Sequence, residues 1–442
     1  MIEICTVGGY DEIGRNCTAI KVDDEVVVMD MGLLLDKYIV EVDDADVKNI
    51  SAKRLLNIGA VPDIRHIEDW RKKVVAIIPT HAHLDHIGAL PYLSSKYNAP
   101  IICTPFASAV LRTILRDDKK KIKNDIVELH PNSSYKISDK ISIDFINMTH
   151  STPQTVMVAI HTPYGTVVYA NDFKFDSYPV LGKKPNFEKI KQVGKDGVVC
   201  LIVDSIYAKA ERKTPSEQVA RDMLQDVLMG TESEGKAIVI TTFASHLARL
   251  KSIISFGKKM DRKVLLFGRS LAKYVSAGEE ANVIDFSKDV KIYRFAHKMR
   301  KAFKNLKHPE KYLIVVTGHQ GEKKAVLSRL ARDQFDFKLR SGDHVIFSSQ
   351  IIPSPVHVAD RKILEDALKN RHVRVFKDIH VSGHASREDL RDLVNMLKPN
   401  HIIPAHCADE KAVAMCNLAV EEGYVQGESV HLMKNGQRIS FE

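Results

Sequence analysis

Short apolar runs that end in a polar or charged residue recur along the first 204 residues of the chain. They lie at 26–30, 74–79, 141–148, 156–161, 166–172 and 198–204. A run of this length, bounded by polar residues, is typical of a buried strand. The N-terminal residues 1–5 have the same character and are predicted to form a first strand. This part of the chain is therefore predicted to be rich in strands.

From about residue 207 to 349 the pattern changes to alternating helices and short strands. Helical periodicity covers 215–229 and 245–259, and short apolar runs lie at 237–242, 264–267, 312–316 and 343–349. Strands that alternate with helices predict a parallel sheet covered on both faces. Short strands resume at 373–376, 401–404 and 430–433, after a predicted hinge at 351–355. The pattern predicts one domain, 1–206 and 351–442, interrupted by an inserted domain at 207–350.

Composition narrows the class of protein. The chain has 442 residues, of which 44% are hydrophobic and 27% charged, as expected for a globular protein of two domains. No apolar run approaches the roughly 18 residues of a membrane span, and the N-terminus lacks the features of a secretory signal. The six cysteines form no CxxC pair, which predicts reduced thiols in a cytoplasmic protein. Any metal is therefore expected to be bound by nitrogen and oxygen.

The net charge is +9, from 65 Lys and Arg against 56 Asp and Glu. An excess of this kind favours a polyanionic partner, although many proteins are basic for other reasons. The basic residues are dense only at 119–123 and 298–311. A solvated helix face explains each cluster as well as a nucleic-acid contact does, and both alternatives stay open at this point. The polar segment 36–71 is predicted to be a loop, either one at a substrate channel or a surface insertion without function.

The segment from Thr80 to Gly88 contains a dense cluster of potential metal ligands. His81, His83, Asp85 and His86 follow immediately after the predicted strand at 74–79. Four such side chains in so tight a loop cannot all bind one tetrahedral ion. The cluster therefore predicts two neighbouring metal ions, each completed by residues from elsewhere. The alternative, a histidine-rich surface turn, is disfavoured because the flanking sequence supplies the missing ligands.

Four further polar residues stand at predicted strand ends. They are Asp30, His150, Asp172 and His406. One such residue is more often a cap, but four of them beside the loop favour a metal site. One zinc is then predicted to be bound by His81, His83 and His150. The other is predicted to be bound by Asp85, His86 and His406, with Asp172 bridging and Asp30 orienting the loop histidines.

These residues resemble the HxHxDH motif of the metallo-β-lactamase superfamily. The insertion is similar to that of its β-CASP branch of nucleic-acid-processing nucleases. The three further motifs of that branch have matches in Asp204, His384 and His406. DNA-repair members typically replace the last histidine by an apolar residue, so His406 favours the RNA-processing members.

Finer motifs resemble ribonuclease J. They are the glycine-rich opening at 7–16, the inserted-domain motifs at 243–246 and 317–322, and the segments 347–353 and 381–386. The resemblance covers essentially the whole chain and stops short of the extra C-terminal domain of bacterial ribonuclease J, as in the archaeal form. Asn171 and Cys407 depart from the residues usual beside the bridging aspartate and the last histidine.

The resemblance implies an α/β fold, a metallo-β-lactamase αββα sandwich interrupted by a β-CASP domain with a parallel sheet flanked by helices. It implies a zinc-dependent 5′→3′ exoribonuclease that prefers 5′-monophosphorylated single-stranded RNA. The expected catalytic residues are Asp85, Asp204 and His384, with His384 as proton donor held by Asp204. The expected substrate-binding residues are Phe243, Ala244, Ser245, His380, Val381, Ser382, Gly383 and His384. Ser245, at a predicted helix start, would bind a terminal phosphate or simply cap the helix.

The expected cofactors are two Zn²⁺ per chain, with Mn²⁺ or Mg²⁺ as alternative supporting ions. The expected partners are single-stranded RNA, single-stranded DNA as a further substrate, and a second copy of the chain in a homodimer, with no membrane. One alternative is an endoribonuclease of the polyadenylation-factor type with the same two-metal centre. The others are a scaffold without catalysis and a small-molecule hydrolase.

Overall fold

The computed structural model describes residues 1–44, 50–352 and 354–442, and the chain divides there into two compact units. The first unit contains Met1–Ser177, Lys183–Thr214 and Ser382–Glu442. The second contains Tyr178–Gly182 and Pro215–Val381. The second unit is thus inserted into the sequence of the first.

The described strands are mostly built from β-branched residues, which pack well on a pleated surface. They are β1 Ile2–Gly8, β2 Cys17–Val22, β3 Glu25–Met29, β4 Val74–Ile78, β5 Ile101–Cys103, β6 Ile126–Glu128, β7 Ser134–Lys136, β8 Ser142–Asn147, β9 Val156–Thr162, β10 Gly165–Ala170, β11 Val198–Asp204, β12 Ile238–Thr241, β13 Lys263–Phe267, β14 Val290–Tyr293, β15 Tyr312–Val316, β16 His344–Phe347, β17 Arg374–Phe376, β18 His401–Ala405 and β19 Arg438–Phe441.

The described α-helices often begin at a residue that caps them. They are α1 Leu35–Asp44, α2 Ala52–Asn57, α3 Leu84–Ile87, α4 Leu90–Leu93, α5 Pro105–Asp117, α6 Phe187–Asp196, α7 Glu217–Met229, α8 Leu247–Lys259, α9 Arg269–Glu280, α10 Ala296–Lys304, α11 Val326–Ala331, α12 Pro355–Lys369, α13 Arg387–Leu397 and α14 Asp409–Glu421. Ser216 shows the principle at α7, because its hydroxyl accepts a hydrogen bond from the Gln218 amide.

Two sheets face each other in the first unit. One has the strand order β19-β1-β2-β3-β4-β5-β6 and the other β18-β11-β10-β9-β8-β7. Side chains of both, such as Ile4 and Val27 on the first and Phe145 and Val158 on the second, form one buried core. Helices α6, α13 and α14 pack on the other face of the second sheet. The predicted sandwich of the metallo-β-lactamase type is confirmed.

The second unit is built on a parallel six-stranded sheet of order β14-β13-β15-β12-β16-β17. Helices α10, α11 and α12 bury residues such as Phe303, Leu327 and Leu364 against one face. Helices α8 and α9 contact β13. The alternation seen in the sequence therefore predicted the parallel sheet correctly, because crossover helices must cover such a sheet.

Several predictions from the sequence differ from the structure. The strand predicted at 430–433 is wrong, since Val430 makes only isolated bridges, with Ile402 and with Gln426. The loop predicted at 36–71 is wrong in its described part, because α1, α2 and a 3₁₀-helix at Ile64–Lys73 occupy it. Residues 45–49 of that segment lie outside the described residues.

The second unit also extends further than the inserted domain predicted at 207–350. It ends at Val381, because β17 pairs with β16 and α12 contributes Leu364 and Leu368 to the core of the unit. Pro353 of the predicted hinge lies outside the described residues, and Pro355 begins α12. Among the helices that the structure describes, none combines the length and the apolar character that crossing a membrane would require.

Candidate metal centre

The histidine-rich loop leaves the end of β4 and turns directly into the short helix α3, which begins after His83. Asp30, fully buried at the end of the neighbouring strand β3, holds this loop. Its Oδ1 accepts hydrogen bonds from the Thr80 amide at 2.8 Å and the Thr80 hydroxyl at 3.0 Å. Its Oδ2 lies 2.8 Å from Nδ1 of His86. The structure thus places Asp30 as an orienting acceptor for the loop.

One group of potential metal ligands contains His81, His83, His150 and Asp172, whose ligand atoms all lie within 4.8 Å of one another. Nε2 of His81 and Nε2 of His150 both lie 3.1 Å from Nδ1 of His83. Oδ2 of Asp172 is 3.5 Å from each of those Nε2 atoms. Three imidazoles and a carboxylate therefore surround one point, which is a donor set typical of a divalent metal.

A second group contains Asp85, His86, Asp172 and His406. Oδ1 of Asp172 is 3.3 Å from Nε2 of His86 and 3.7 Å from Nε2 of His406. Oδ2 of Asp85 is 3.6 Å from the same atom of His86. The two oxygens of Asp172 therefore face different groups, so the arrangement fits two adjacent cations with Asp172 between them.

Burial sets the protonation of the ligand atoms. Burial, with Coulomb repulsion from neighbouring histidines, holds the pKa of His83 and of His150 well below the usual range, although Asp172 opposes this shift. These imidazoles are therefore neutral, the form that binds metal. Burial raises the pKa of Asp172, but His406 and His86 outweigh it and hold that pKa well below its usual range. Its Oδ1 is buried with no hydrogen-bond partner among the described residues. A buried oxygen without such a partner is expected where the oxygen binds a cation.

Three residues of the centre have left-handed backbones. The φ angle is 55° at Asp30, 55° at Asp172 and 54° at His406. Residues other than glycine rarely adopt this conformation, and it clusters at functional sites where the surroundings enforce it. Each of the three follows the end of a strand within two residues.

Two partners of the ligand histidines were not identified from the sequence. Nδ1 of His406 donates to Oδ1 of Asn16 at 2.9 Å, and Nδ2 of Asn16 donates to the Asp85 carbonyl at 3.1 Å. Nδ1 of His150 donates to the Gly383 carbonyl at 2.7 Å. Both bonds leave Nε2 of the histidine directed at the metal groups. Asn16 lies in the glycine-rich opening at 7–16, whose sequence by itself assigns no role to any of its residues.

Asp204 and His384 form a tight pair beside the two metal groups, with the His384 ring 4.9 Å from that of His150 and 5.6 Å from that of His406. Nδ1 of His384 lies 2.7 Å from Oδ2 of Asp204, which is fully buried at the end of β11. Nε2 of His384 is 3.9 Å from Oδ2 of Asp172. Burial lowers the pKa of His384, but Asp204 and Asp172 outweigh it and raise the pKa to about 9. The structure therefore brings together the two residues that the sequence predicted to act as a pair.

The expected substrate-binding residues fall in both units. In the first unit, the Ser382 hydroxyl accepts a hydrogen bond from the His384 amide at 3.0 Å. In the second unit, the ring of Phe243 lies 4.2 Å from that of His319 and 6.0 Å from that of His380, with Ala244 and Ser245 following it in the chain and Val381 following His380.

The interpretation of Ser245 as the N-cap of a helix is wrong. Helix α8 begins at Leu247, and its N-cap is His246, whose Nδ1 accepts a hydrogen bond from the Arg249 amide. The helix starts two residues later than the periodicity predicted, because an imidazole takes the capping position that serine was expected to fill.

Comparison with known proteins agrees with this geometry. Three family models match successive parts of the chain: "Metallo-beta-lactamase superfamily" at residues 10–195, "Ribonuclease J, beta-CASP domain" at 235–364, and "Zn-dependent metallo-hydrolase RNA specificity domain" at 371–432. A solved structure of a protein of unknown function from Enterococcus faecalis V583 is similar in fold, with a TM-score of 0.67 at 17% identity over 99% of both chains.

Two relatives are similar over their whole length. Ribonuclease J of Methanocaldococcus jannaschii is 43% identical, covering 100% of this chain and 99% of that protein. Ribonuclease J of Pyrococcus abyssi is 40% identical, covering 100% and 97%. The chain therefore belongs to the ribonuclease J family and is a metal-dependent nuclease of the metallo-β-lactamase and β-CASP type.

Proposed function

We propose that this protein is a zinc-dependent 5′→3′ exoribonuclease that prefers single-stranded RNA with a 5′-monophosphate. The observation that carries the proposal is the Asp204–His384 pair beside two sets of nitrogen and oxygen ligands that share Asp172. The choice of RNA is supported by the names of the two relatives and of the matched RNA specificity domain.

The proposed ligands of one Zn²⁺ are His81, His83 and His150, and those of the other are Asp85, His86 and His406, with Asp172 bridging. Neutral imidazole and carboxylate suit zinc, and none of the donors is a thiolate. Two bound divalent cations would act as Lewis acids and lower the pKa of a shared water toward neutrality. Mn²⁺ and Mg²⁺ are the alternatives to compare in activity assays.

His384 is the proposed general acid. Its Nδ1 donates to Asp204, which fixes the ring and leaves Nε2 directed toward Asp172. As water oxygen adds to the scissile phosphorus and the bond from phosphorus to O3′ breaks, Nε2 of His384 gives its proton to O3′. Asp85, whose side chain is 19% exposed, would accept the proton that the water loses.

The proposed RNA contacts lie in both units. In the first unit they are Ser382, Gly383 and His384, where the Ser382 hydroxyl already accepts a bond from the His384 amide. In the second unit they are Phe243, Ala244, Ser245, His380 and Val381. There the Phe243 ring offers a face for base stacking, and the backbone amides at the start of α8 favour a phosphate.

The direction of cleavage is tested with RNA labelled at its 5′ end and carrying a monophosphate, a triphosphate or a hydroxyl. Release of labelled mononucleotide, fastest from the monophosphate, is expected for the exonuclease. Labelled fragments of many nucleotides, independent of the 5′ group, would instead indicate the endoribonuclease alternative. The same assay on single-stranded DNA tests the proposed second substrate, since the acid and metal ligands require no 2′-hydroxyl.

The role of His384 is tested by His384→Ala. The rate of turnover is expected to fall about 10²–10⁴-fold, as for loss of a general acid, while zinc content per chain stays that of the wild type. His130→Ala, an exposed histidine of the same unit, is the matched control and should leave both unchanged. Wild-type turnover in zinc-replete His384→Ala would refute the assignment.

We also propose that the protein works in the cytoplasm as a homodimer. The six cysteines are all free thiols, which fits a reducing compartment. Sedimentation equilibrium of the zinc-loaded protein would give the oligomeric state directly.

A further inference from the structure

One surface of the second unit is strongly basic. Between residues 286 and 311 the chain carries nine Lys and Arg residues against Asp289 and Glu310. Helix α10 lies at its centre and buries Met299 and Phe303 against the core of the unit. The exposed face of α10 carries Lys298, Arg300, Lys301 and Lys304. None of these four cations pairs with a carboxylate of the described residues.

Two cavities flank this helix. The larger, of about 780 Å³, is lined by lysines 263, 288, 291, 298 and 301 together with Tyr293 and Tyr312. Asp289 also lines it, but its carboxylate already pairs with Lys258 at 2.5 Å. The larger cavity therefore concentrates positive charge beside aromatic rings.

The smaller cavity, of about 480 Å³, lies beside Arg300 and is lined by Lys323, Lys324, Arg329, Arg332 and Gln334. No acidic residue is among these lining residues. Burial and the charges of Arg300 and Arg332 lower the pKa of Arg329, so the guanidinium groups repel one another. An anion bound here would relieve that repulsion.

An exposed aromatic ring stands at the start of α10. Phe295 is 48% exposed, the Arg294 guanidinium lies 5.6 Å and Nζ of Lys298 5.8 Å from its ring, and the His297 ring lies 6.1 Å away at 13°. Cations around an exposed ring are the combination that binds single-stranded nucleic acid, because bases stack while phosphates are neutralised. An acidic peptide would pair with the cations but would have no base to stack on the Phe295 ring.

An ordinary solvated helix face mixes charges of both signs, which gives pairs at i,i+4 spacing. Helix α10 has no acidic residue, so its charges repel one another and gain most from a polyanion. We propose that the exposed face of α10 and its two flanking cavities, here called the α10 surface, bind a segment of single-stranded RNA outside the catalytic centre. The choice of RNA rests on the proposed function, while the basic site itself does not. The α10 surface shares no residue with the metal centre.

The test measures how tightly zinc-loaded protein variants bind a fluorescent RNA of 24 nucleotides. The RNA has a phosphorothioate backbone, which resists cleavage. The variant replaces the four cations of α10 by alanine, a strong helix former. The matched control removes four exposed lysines elsewhere, Lys184, Lys191, Lys195 and Lys362, so both variants have the same net charge. The α10 variant is expected to bind the RNA at least tenfold more weakly than the wild type. The magnitude of its slope of log K against log salt concentration should fall by about 3, because each of four lost phosphate contacts contributes about 0.7. The control should stay within twofold of the wild type.

A second variant separates charge from folding. Replacing Lys298, Lys301 and Lys304 by arginine keeps the charge and should keep wild-type affinity. Affinity of the alanine variant equal to that of the control would overturn the proposal, as would preferential binding of poly-glutamate over RNA of equal charge.

The two proposals fail in different ways. If the wild type degrades RNA and the α10 variant binds RNA as the control does, the α10 surface alone is refuted. If the wild type neither binds nor degrades RNA, the proposed function is refuted and the α10 surface loses RNA as its partner.

Discussion

Asn16 links three parts of the centre, and its replacement by alanine tests how the chain orients its metal ligands. The side chain is 1% exposed. Its Oδ1 accepts from Nδ1 of His406, its Nδ2 donates to the carbonyl of Asp85, and the same Nδ2 lies 3.1 Å from Nε2 of His86. Asn16→Ala removes the bonds to His406 and Asp85 and the contact with His86, while keeping every proposed ligand. The effect should therefore fall on the cation bound through Asp85, His86 and His406, and spare the one bound through His81, His83 and His150.

The size of the effect follows from the two lost bonds. A hydrogen bond in a folded protein contributes about 1–1.5 kcal/mol, so two contribute about 2–3 kcal/mol. At 1.4 kcal/mol for each tenfold change, metal affinity at that group is expected to fall about 30–150-fold. Loss of an orienting partner of a metal-binding histidine usually costs about 10–100-fold, in agreement.

The assay is competition for zinc with a chromophoric chelator, which reads metal content without reference to activity. The wild type should resist the chelator with two ions per chain, and Asn16→Ala with one. Asn147→Ala is the control, because Asn147 is also buried and donates to the Lys183 and Lys184 carbonyls away from the centre. Two chelator-resistant ions in a folded Asn16→Ala protein would refute the reasoning.

Three further changes have defined outcomes. Asp204→Asn removes the charge that raises the pKa of His384, so His384 loses its proton at a lower pH. The alkaline limb of the profile of kcat/KM against pH should therefore move down by about one pH unit or more. An unmoved limb would exclude His384 as the general acid. Arg249→Met removes both bonds from Arg249 to the buried Glu217 carboxylate and should cost about 3–5 kcal/mol in the free energy of unfolding. The double variant Glu217→Met, Arg249→Met should lose less free energy of unfolding than the two single variants added together, and strict additivity would contradict the pairing. Gly383→Ala would place a Cβ 2.9 Å from the imidazole that its carbonyl orients, so zinc content should fall; full zinc content would show that the loop can shift without loss.

The sequence predicted the local part of the centre. His81, His83, Asp85 and His86 lie within six residues, and a strand followed by a turn brings them together wherever the sheet lies. Asp30 and His406 were predicted because each directly follows a predicted strand, where the functional residues of sheet proteins commonly lie. The start of α8 moved by two residues, because the start of a helix depends on which side chain takes the cap.

The remaining geometry of the centre depends on contacts between residues that are far apart in the sequence. His406 and Asn16 are 390 residues apart, His150 and Gly383 are 233 apart, and Asp204 and His384 are 180 apart. The first two of these contacts were not predicted, and the third was expected only from resemblance to a family. The predicted strand at 430–433 failed for the same reason, since pairing requires a neighbour as well as an apolar run.

The sequence by itself determined the two-part architecture, the parallel sheet of the inserted unit and the identity of the candidate ligands, because periodicity and strand ends are local properties of the chain. The tertiary structure decided that the two oxygens of Asp172 face different groups and that Asn16 and Gly383 orient the histidines. It also shows that four cations of the basic stretch at 298–311 lie exposed on one helix without a carboxylate partner among the described residues, which supports the proposed RNA contact. Each of these depends on directions and distances between side chains, which only the packing of the sheets and helices fixes.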